Sequence, residues 1–230
     1  MKKFLCAMLF LASTAFPAQD GSGDWRLLVE KKDIRIYANR VAGSPIDELK
    51  GECVLDAPLE VVAQVMLDVA SYPGWVADCV EARKFGCSTA TSCLLYFTLG
   101  MPWPVLDRDI VLQSSTEICL DQGTIIGRVT ALSEKIVPEH KRRVRITSMY
   151  GTWIFKRLSP EKTDATFICW ADPGGFIPTF IINIASRDIP YRTLRGLREM
   201  VKKEEYITAS RNFNIETFEK DGEETSKNEK

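Results

Sequence analysis

The chain has 230 residues, 45% of them hydrophobic, with 30 basic and 31 acidic side chains and a formal charge of −1. That length and balance suit one globular domain with a sizeable core and argue against a tail-dominated or fibrous protein. The charges are mixed along the chain, with no long basic stripe of the kind that follows a phosphate backbone, so nucleic acid is excluded as the expected partner.

Met1-Lys2-Lys3, the apolar run from Phe4 to Ala12 and then Ser13-Thr14-Ala15 stand in the order of a secretory signal peptide. The run is too short to span a bilayer. Residues 1–18 are read as the signal, cleaved after Ala15 or Ala18, with an uncleaved anchor as the alternative. Cys6 lacks the small-residue setting of a lipoprotein signal, so no lipid modification is expected. Removal of Lys2 and Lys3 leaves 28 basic against 31 acidic residues, a formal charge of −3.

Export implies a periplasmic or secreted location, where the remaining cysteines, Cys53, Cys79, Cys87, Cys93, Cys119 and Cys169, meet an oxidising environment. Six cysteines allow fifteen pairings. The local candidate is Cys87–Cys93, because "GCSTATSC" reads as a loop between two strands that a bridge can close; the alternative is that these are small buried apolar residues. None has the CxxC spacing of zinc or redox chemistry, and no metal site is expected.

Residues 25–30 and 34–37 alternate apolar and polar, as half-buried strands do, and a further strand fits 48–55. Asp56 is expected to cap a helix with Pro58 in its first turn, and "LEVVAQVML" supplies apolar residues at helical spacing through Leu67. "SYPGW" ends it. Strands then follow at 80–85, 93–99, 105–117, 124–132, 142–149, 152–158 and 165–171, short turn-punctuated runs that argue for a large antiparallel sheet.

After "DPGGFIP" the period changes, and residues 176–206 read as one long helix, about 45 Å at 1.5 Å per residue. Its first half, "FIINIA", is apolar nearly all round, which requires cover on most sides or a cavity that holds something apolar. In the second half Leu194, Leu197 and Val201 form one stripe, nearly opposite the Ile181, Ile184 and Ala185 face. Pro190 lies between the halves and is expected to kink the helix. The terminal stretch "EKDGEETSKNEK" is charged and has no apolar anchors, and a tail over residues 209–230 is expected to be disordered.

The stretches "DWRLLVEKKDIRIYANR", "MLDVASYPGW", "PWPVLDRDIVL", "GTWIFKRL" and "WADPGGFIPTFIINIA" resemble, in this order, the START lipid-transfer family, and within it most the phosphatidylcholine transfer protein group. The resemblance implies one domain over residues 24–208. Its expected class is α+β, the helix-grip fold, with a curved antiparallel sheet closed by a long kinked C-terminal helix around a tunnel. It also implies a monomer that holds one hydrophobic lipid-like ligand and makes transient contact with a membrane surface, with no cofactor. Sterol-binding members carry an arginine six residues beyond the Arg-Asp motif, where this chain has Ser114. The phosphatidylcholine binders carry an arginine and an acid flanking the "YPGW" tryptophan, where this chain has Tyr72 and Val76. A cavity with neither pair favours a less polar ligand such as an acyl or isoprenoid-like chain.

Tyr96, Ser114, Ile181, Asn183 and Ile184 are the expected cavity lining, with Asn183 either bonded to nearby backbone or offering one polar contact to a ligand. Trp75, Phe176 and Pro178 are expected at the tunnel gate, with ordinary packing as the alternative for Trp75. On a strand, Arg108 shares a face with Ile110 and Leu112 while Asp107 and Asp109 point the other way. Arg108 should therefore reach an acid on another element, and Arg108-Asp109 is read as a scaffold charge pair anchoring the strand start. His140, the sole histidine, sits in the polar stretch "PEHKRRVR". No GxSxG elbow, phosphate loop or HExxH helix appears, and Asp107 and Asp109 have no partner histidine or metal, so an enzyme is not expected. The alternatives are a helix-grip cyclase or aromatase, which shapes its substrate without such motifs, and an interaction module using "GWVADCV" and "FIPTF".

Overall fold

A computed structural model describes residues 24–119, 122–133, 136–175, 177 and 179–213, with only the backbone of 179–181 and 183–187. The expected signal (1–18), Phe176, Pro178 and tail residues 214–230 lie outside the described residues.

Among the described residues ten strands form one sheet: β1 (Arg26–Lys31), β2 (Ile34–Asn39), β3 (Glu48–Leu55), β4 (Cys79–Thr89), β5 (Ser92–Leu99), β6 (Asp107–Cys119), β7 (Thr124–Ala131), β8 (Arg143–Ile146), β9 (Ser148–Ser159) and β10 (Lys162–Asp172). Their order is β1-β2-β3-β10-β9-β7-β6-β5-β4, antiparallel throughout, while β8 lies parallel to the start of β6. The helices are α1 (Leu59–Leu67), a 3₁₀ turn over Val69–Gly74, α2 (Thr179–Met200) and α3 (Glu204–Ser210). This is the expected mixed class, a large antiparallel sheet with C-terminal helices.

The β1–β2 turn consists of Lys32 (φ 51°) and Asp33 (φ 56°), both left-handed as a two-residue hairpin on right-twisted strands requires. Arg198 of α2 donates to the carbonyls of Lys32, Asp33 and Val54, so the hairpin is tied to the helix. The stripe Leu194, Leu197 and Val201 is buried, and this end of α2 packs on β2 and β3.

Three local expectations are corrected. Asp56 makes no cap: Pro58 occupies that position, its carbonyl receives the Val61 and Val62 N–H groups, and Asp56 pairs with Lys162 at the surface. Residues 142–149 are not one strand. Arg143–Ile146 pair along β6, and the chain leaves that line at Thr147 to begin β9. The C-terminal helix is not continuous to Tyr206; it stops at Met200 and restarts at Glu204, with Lys203 extended between them. The break lets Tyr206 turn back and donate to Asp68 beyond α1, at 2.8 Å.

Candidate ligand cavity

Strand alternation gives the sheet two chemically distinct faces. Cys93, Leu95, Phe97 and Leu99 of β5 stand opposite Ser114, Leu112, Ile110 and Arg108 of β6, and all eight line an internal cavity. Trp153 and Phe155 of β9 and Phe167 of β10 continue that wall, and Met66, Trp75, Ile182 and Ile189 enclose it from the helical side. The cavity volume is about 390 Å³.

Aromatic rings organise the centre. Trp153 stacks on Phe167 at 4.2 Å and on Phe155 at 5.5 Å between centroids, and meets the Trp75 ring edge-on at 6.3 Å. Tyr72 stands edge-on to both Trp75 and Phe97, with its hydroxyl donating to the Met66 carbonyl at 2.7 Å. Burial pushes the Cys169 thiol in this wall up to about 12, so it stays protonated near neutral pH and is no nucleophile.

The opposite face of β5 and β6 carries a polar network. The Tyr96 hydroxyl donates to Asp109 at 3.0 Å, Arg145 makes two 2.8 Å hydrogen bonds to the same carboxylate, and Arg143 donates to Tyr96 and Thr98, each at 2.9 Å. Burial alone would raise the Asp109 carboxyl, but the hydrogen bonds from Arg145 and Tyr96 outweigh it and hold it below its ordinary value. Tyr96 is therefore corrected as a lining residue. It is buried at 3% exposure among these charges, one position out of step with Leu95 and Phe97.

The remaining expected site residues fall as follows. Ser114 lines the cavity, with its hydroxyl donating to the Cys93 carbonyl at 3.0 Å. Ile181, Asn183 and Ile184 lie on α2, but their side chains are outside the described residues; their neighbour Ile182 lines the cavity. Trp75 is buried in the cavity wall. Among the described residues Arg108 forms no ion pair with an acid on another element. Its guanidinium donates to the carbonyls of Leu106, Pro173 and Gly174, and so fastens the segment that leads into α2. Gly174 and Gly175, at φ 61° and 64°, adopt the left-handed backbone that this close approach uses. Asp109 pairs instead with Arg145, so the two neighbours anchor different elements.

The aromatic stack around Trp153 was not singled out from the sequence. The signal was available in "GTWIFKRL", where Gly151, Trp153 and Phe155 alternate with polar or outward residues. The bridge between Cys87 and Cys93 is present, joining residues directly opposite in the β4–β5 pair. His140 lies on an exposed loop, where its Nδ1 accepts from the Arg142 N–H at 3.2 Å. Among the described residues no group of three or more His, Cys, Asp or Glu side chains is arranged to hold a metal ion. No described helix is long and apolar enough to cross a membrane.

Residues 17–206 match the START domain family. An uncharacterized protein of Pseudomonas aeruginosa is 29% identical over 180 residues, which span 78% of this chain and 88% of that protein. The phosphatidylcholine transfer protein of Bos taurus is 27% identical over 191 residues, covering 81% of this chain and 86% of the relative. Among solved structures, a STAR-related lipid transfer protein fragment from Xanthomonas axonopodis superposes with a TM-score of 0.71 at 31% identity, over 78% of this chain and 99% of that one.

Proposed function

The chain belongs to the START domain family, and from that premise we propose that it is an exported carrier, periplasmic or secreted, that holds one hydrophobic lipid-like ligand and catalyses no reaction on it. The observation that carries this reading is the apolar cavity of about 390 Å³ between the inner sheet face and the helices. Two of the similar proteins, from Bos taurus and Xanthomonas axonopodis, are named as lipid-transfer proteins, which agrees with it.

The character of the wall favours a ligand whose buried part is uncharged. Arg108 is committed to three backbone carbonyls, and neither polar pair of the sterol or phosphatidylcholine binders is present at Ser114, Tyr72 and Val76. Burying an unmatched lipid charge here would cost several kcal/mol, on the order of the desolvation of any unpaired ion. The Cys87–Cys93 bridge supports an oxidising compartment.

Loading and release call for brief contact of a monomer with a membrane. Trp103, 93% exposed, and Leu106, 49% exposed, extend from the β5–β6 connection, in which Met101 lines the cavity. Tryptophan favours the membrane–water boundary, so this loop is the natural point of contact. Phe176 and Pro178, which precede α2 in the sequence, remain the gate candidates, together with Trp75 of the cavity wall.

Native mass spectrometry of the protein taken from its own compartment tests the reading: a bound lipid is expected. Labelled lipid should then pass between vesicles at a rate proportional to protein concentration. An empty protein that also fails to accelerate exchange would overturn the proposal, and chemical conversion of the bound molecule would establish an enzyme.

A further inference from the structure

Three large hydrophobic side chains stand exposed at one end of the sheet: Val80 at the start of β4, and Trp103 and Leu106 in the β5–β6 connection. A Cβ on Gly100 would meet Val80 at 3.0 Å, and the Gly100 N–H donates to the Asp78 carbonyl at 2.8 Å, so Val80 borders that connection. The Met101 N–H donates to the Asp107 carboxylate at 3.0 Å and pins the two ends of the connection together. Met101, Arg108 and Pro173 line the cavity, so the apolar patch lies beside one end of it.

Two cations are placed at the same end. β8 runs parallel to β6 with Arg143 beside Asp107, so the segments that lead into these two strands leave the sheet side by side. The one ahead of β8 is a turn closed by the Arg143 N–H on the His140 carbonyl at 3.0 Å, with Lys141 and Arg142 exposed at its tip. Among the described residues neither forms an ion pair. The neighbouring acids are engaged elsewhere: Asp107 accepts from Met101, Asp109 pairs with Arg145, and Glu81 pairs with Arg83 and Arg143. Glu139, beside the turn, favours the charged form of Arg145.

An exposed apolar patch on a globular domain marks an interaction surface. Its occupant must be able to accept a hydrophobic ligand from the adjoining cavity without passing it through water, and a bilayer does so. Tryptophan suits the membrane–water boundary, and each Lys or Arg close to an anionic bilayer raises affinity about fivefold. With 30 basic and 31 acidic residues the chain as a whole is not drawn to such a surface. Attraction therefore has to be local, within a Debye length of about 10 Å. We propose that this end of the domain docks on bilayers that carry anionic lipids, with Val80, Trp103 and Leu106 entering the boundary and Lys141 and Arg142 taking the lipid phosphates. This rests on the membrane contact read above and adds to it the charge of the surface and the residues that select it.

Flotation of the protein with vesicles tests this. One set is phosphatidylcholine alone, and the other has about one third of it replaced by phosphatidylglycerol, at low salt of about 0.05 M. The wild type should bind the anionic set about tenfold or more tightly, and the difference should shrink at about 0.5 M salt, where the charges are screened. The double variant K141Q/R142Q should lose most of the difference while keeping its affinity for phosphatidylcholine alone. Trp103→Ala should weaken binding to both sets, because the ring's contact does not depend on lipid charge. All three side chains are exposed, and melting curves unchanged from wild type confirm that the fold is intact.

Equal affinity for the two sets, an anionic preference that K141Q/R142Q retains, or a Trp103→Ala variant that binds like wild type overturns the docking assignment. Sedimentation that shows a dimer abolished by Trp103→Ala also overturns it, and gives the face to a second copy of the chain. Mass spectrometry of the floated protein separates this from the carrier reading. Lipid taken up without any anionic preference leaves the carrier and removes the docking site, whereas tight anionic binding with no lipid ever taken up removes the carrier and leaves the docking site.

Discussion

Asp109 on β6 and Arg145 on β8 face each other through two hydrogen bonds of 2.8 Å, with side-chain exposures of 1% and 10%. Each secures a strand the other does not belong to. Replacing Asp109 by Asn leaves a buried guanidinium without its counter-charge, and a loss of about 3–5 kcal/mol is expected in urea unfolding. The pair also sets a pH dependence. The folded carboxyl titrates below its ordinary value because of Arg145 and Tyr96, so its contribution is complete above the unfolded value of about 3.9 and is lost as pH falls through the lower folded value. Wild-type stability should fall over that acid range more steeply than that of D109N; equal slopes would show that the pair contributes nothing.

Ser114 lines the cavity opposite Cys93. An arginine there would put an unpaired cation among Ile110, Leu112 and Val129, so S114R should lower the lipid-loaded fraction at least tenfold, in line with the several kcal/mol of such a burial. Ser114→Ala removes only the bond to the Cys93 carbonyl and should cost about 1 kcal/mol of stability with loading retained. Mass spectrometry of the loaded protein and a melting curve read both; undiminished loading of a folded S114R would place the ligand elsewhere.

The Cys87–Cys93 bridge closes a short loop, with a sequence separation of 6. Loop-closure entropy assigns such a crosslink about 2 kcal/mol, so reduction should lower the unfolding midpoint by a corresponding amount. Alkylation before and after reduction gives the direct check. Cys53, Cys79 and Cys169 are free thiols, and two further sites should react only once reductant is added.

Gly196 gives a prediction whose sign is opposite to helix propensity. In an exposed helix Gly→Ala stabilises by about 1 kcal/mol. Here the added methyl would lie 2.4 Å from the Trp75 carbonyl oxygen and 3.1 Å from its carbon, both backbone atoms. G196A should therefore destabilise by about 1–3 kcal/mol in chemical denaturation, as overpacked sites do. A more stable variant would mean that α2 does not sit this close to the Trp75 backbone.

The strands and the amphipathic end of α2 were legible because alternation and helical periodicity are local. Leu194, Leu197 and Val201, read as one stripe, are all buried. What local pattern cannot supply is which strand lies beside which, and in what alignment. Tyr96 shows this: its aromatic character suits a cavity wall, but the pairing of Phe97 with Ile110 puts it on the charged side. Arg108 fails for a related reason. An arginine in an apolar strand calls for an acid, yet three carbonyls, two of them more than sixty residues away, satisfy the same donors. The break after Met200 has no proline or glycine to announce it; it depends on Tyr206 meeting Asp68 across the fold.

Between Arg108 and Ser114 every second side chain of β6 faces inward, so a slip of one residue against β5 would carry Asp109 and Gln113 into the cavity and turn Ile110 and Leu112 out. Hydrocarbon packing alone tolerates small errors of alignment poorly distinguished from one another, since one apolar residue fills space much as the next does. The doubly bonded contact of Asp109 with Arg145, tied also to Tyr96, is available in one alignment only. The charged side of the sheet thus works as a key for the greasy side: the outline of the chamber is chosen by groups that lie outside it.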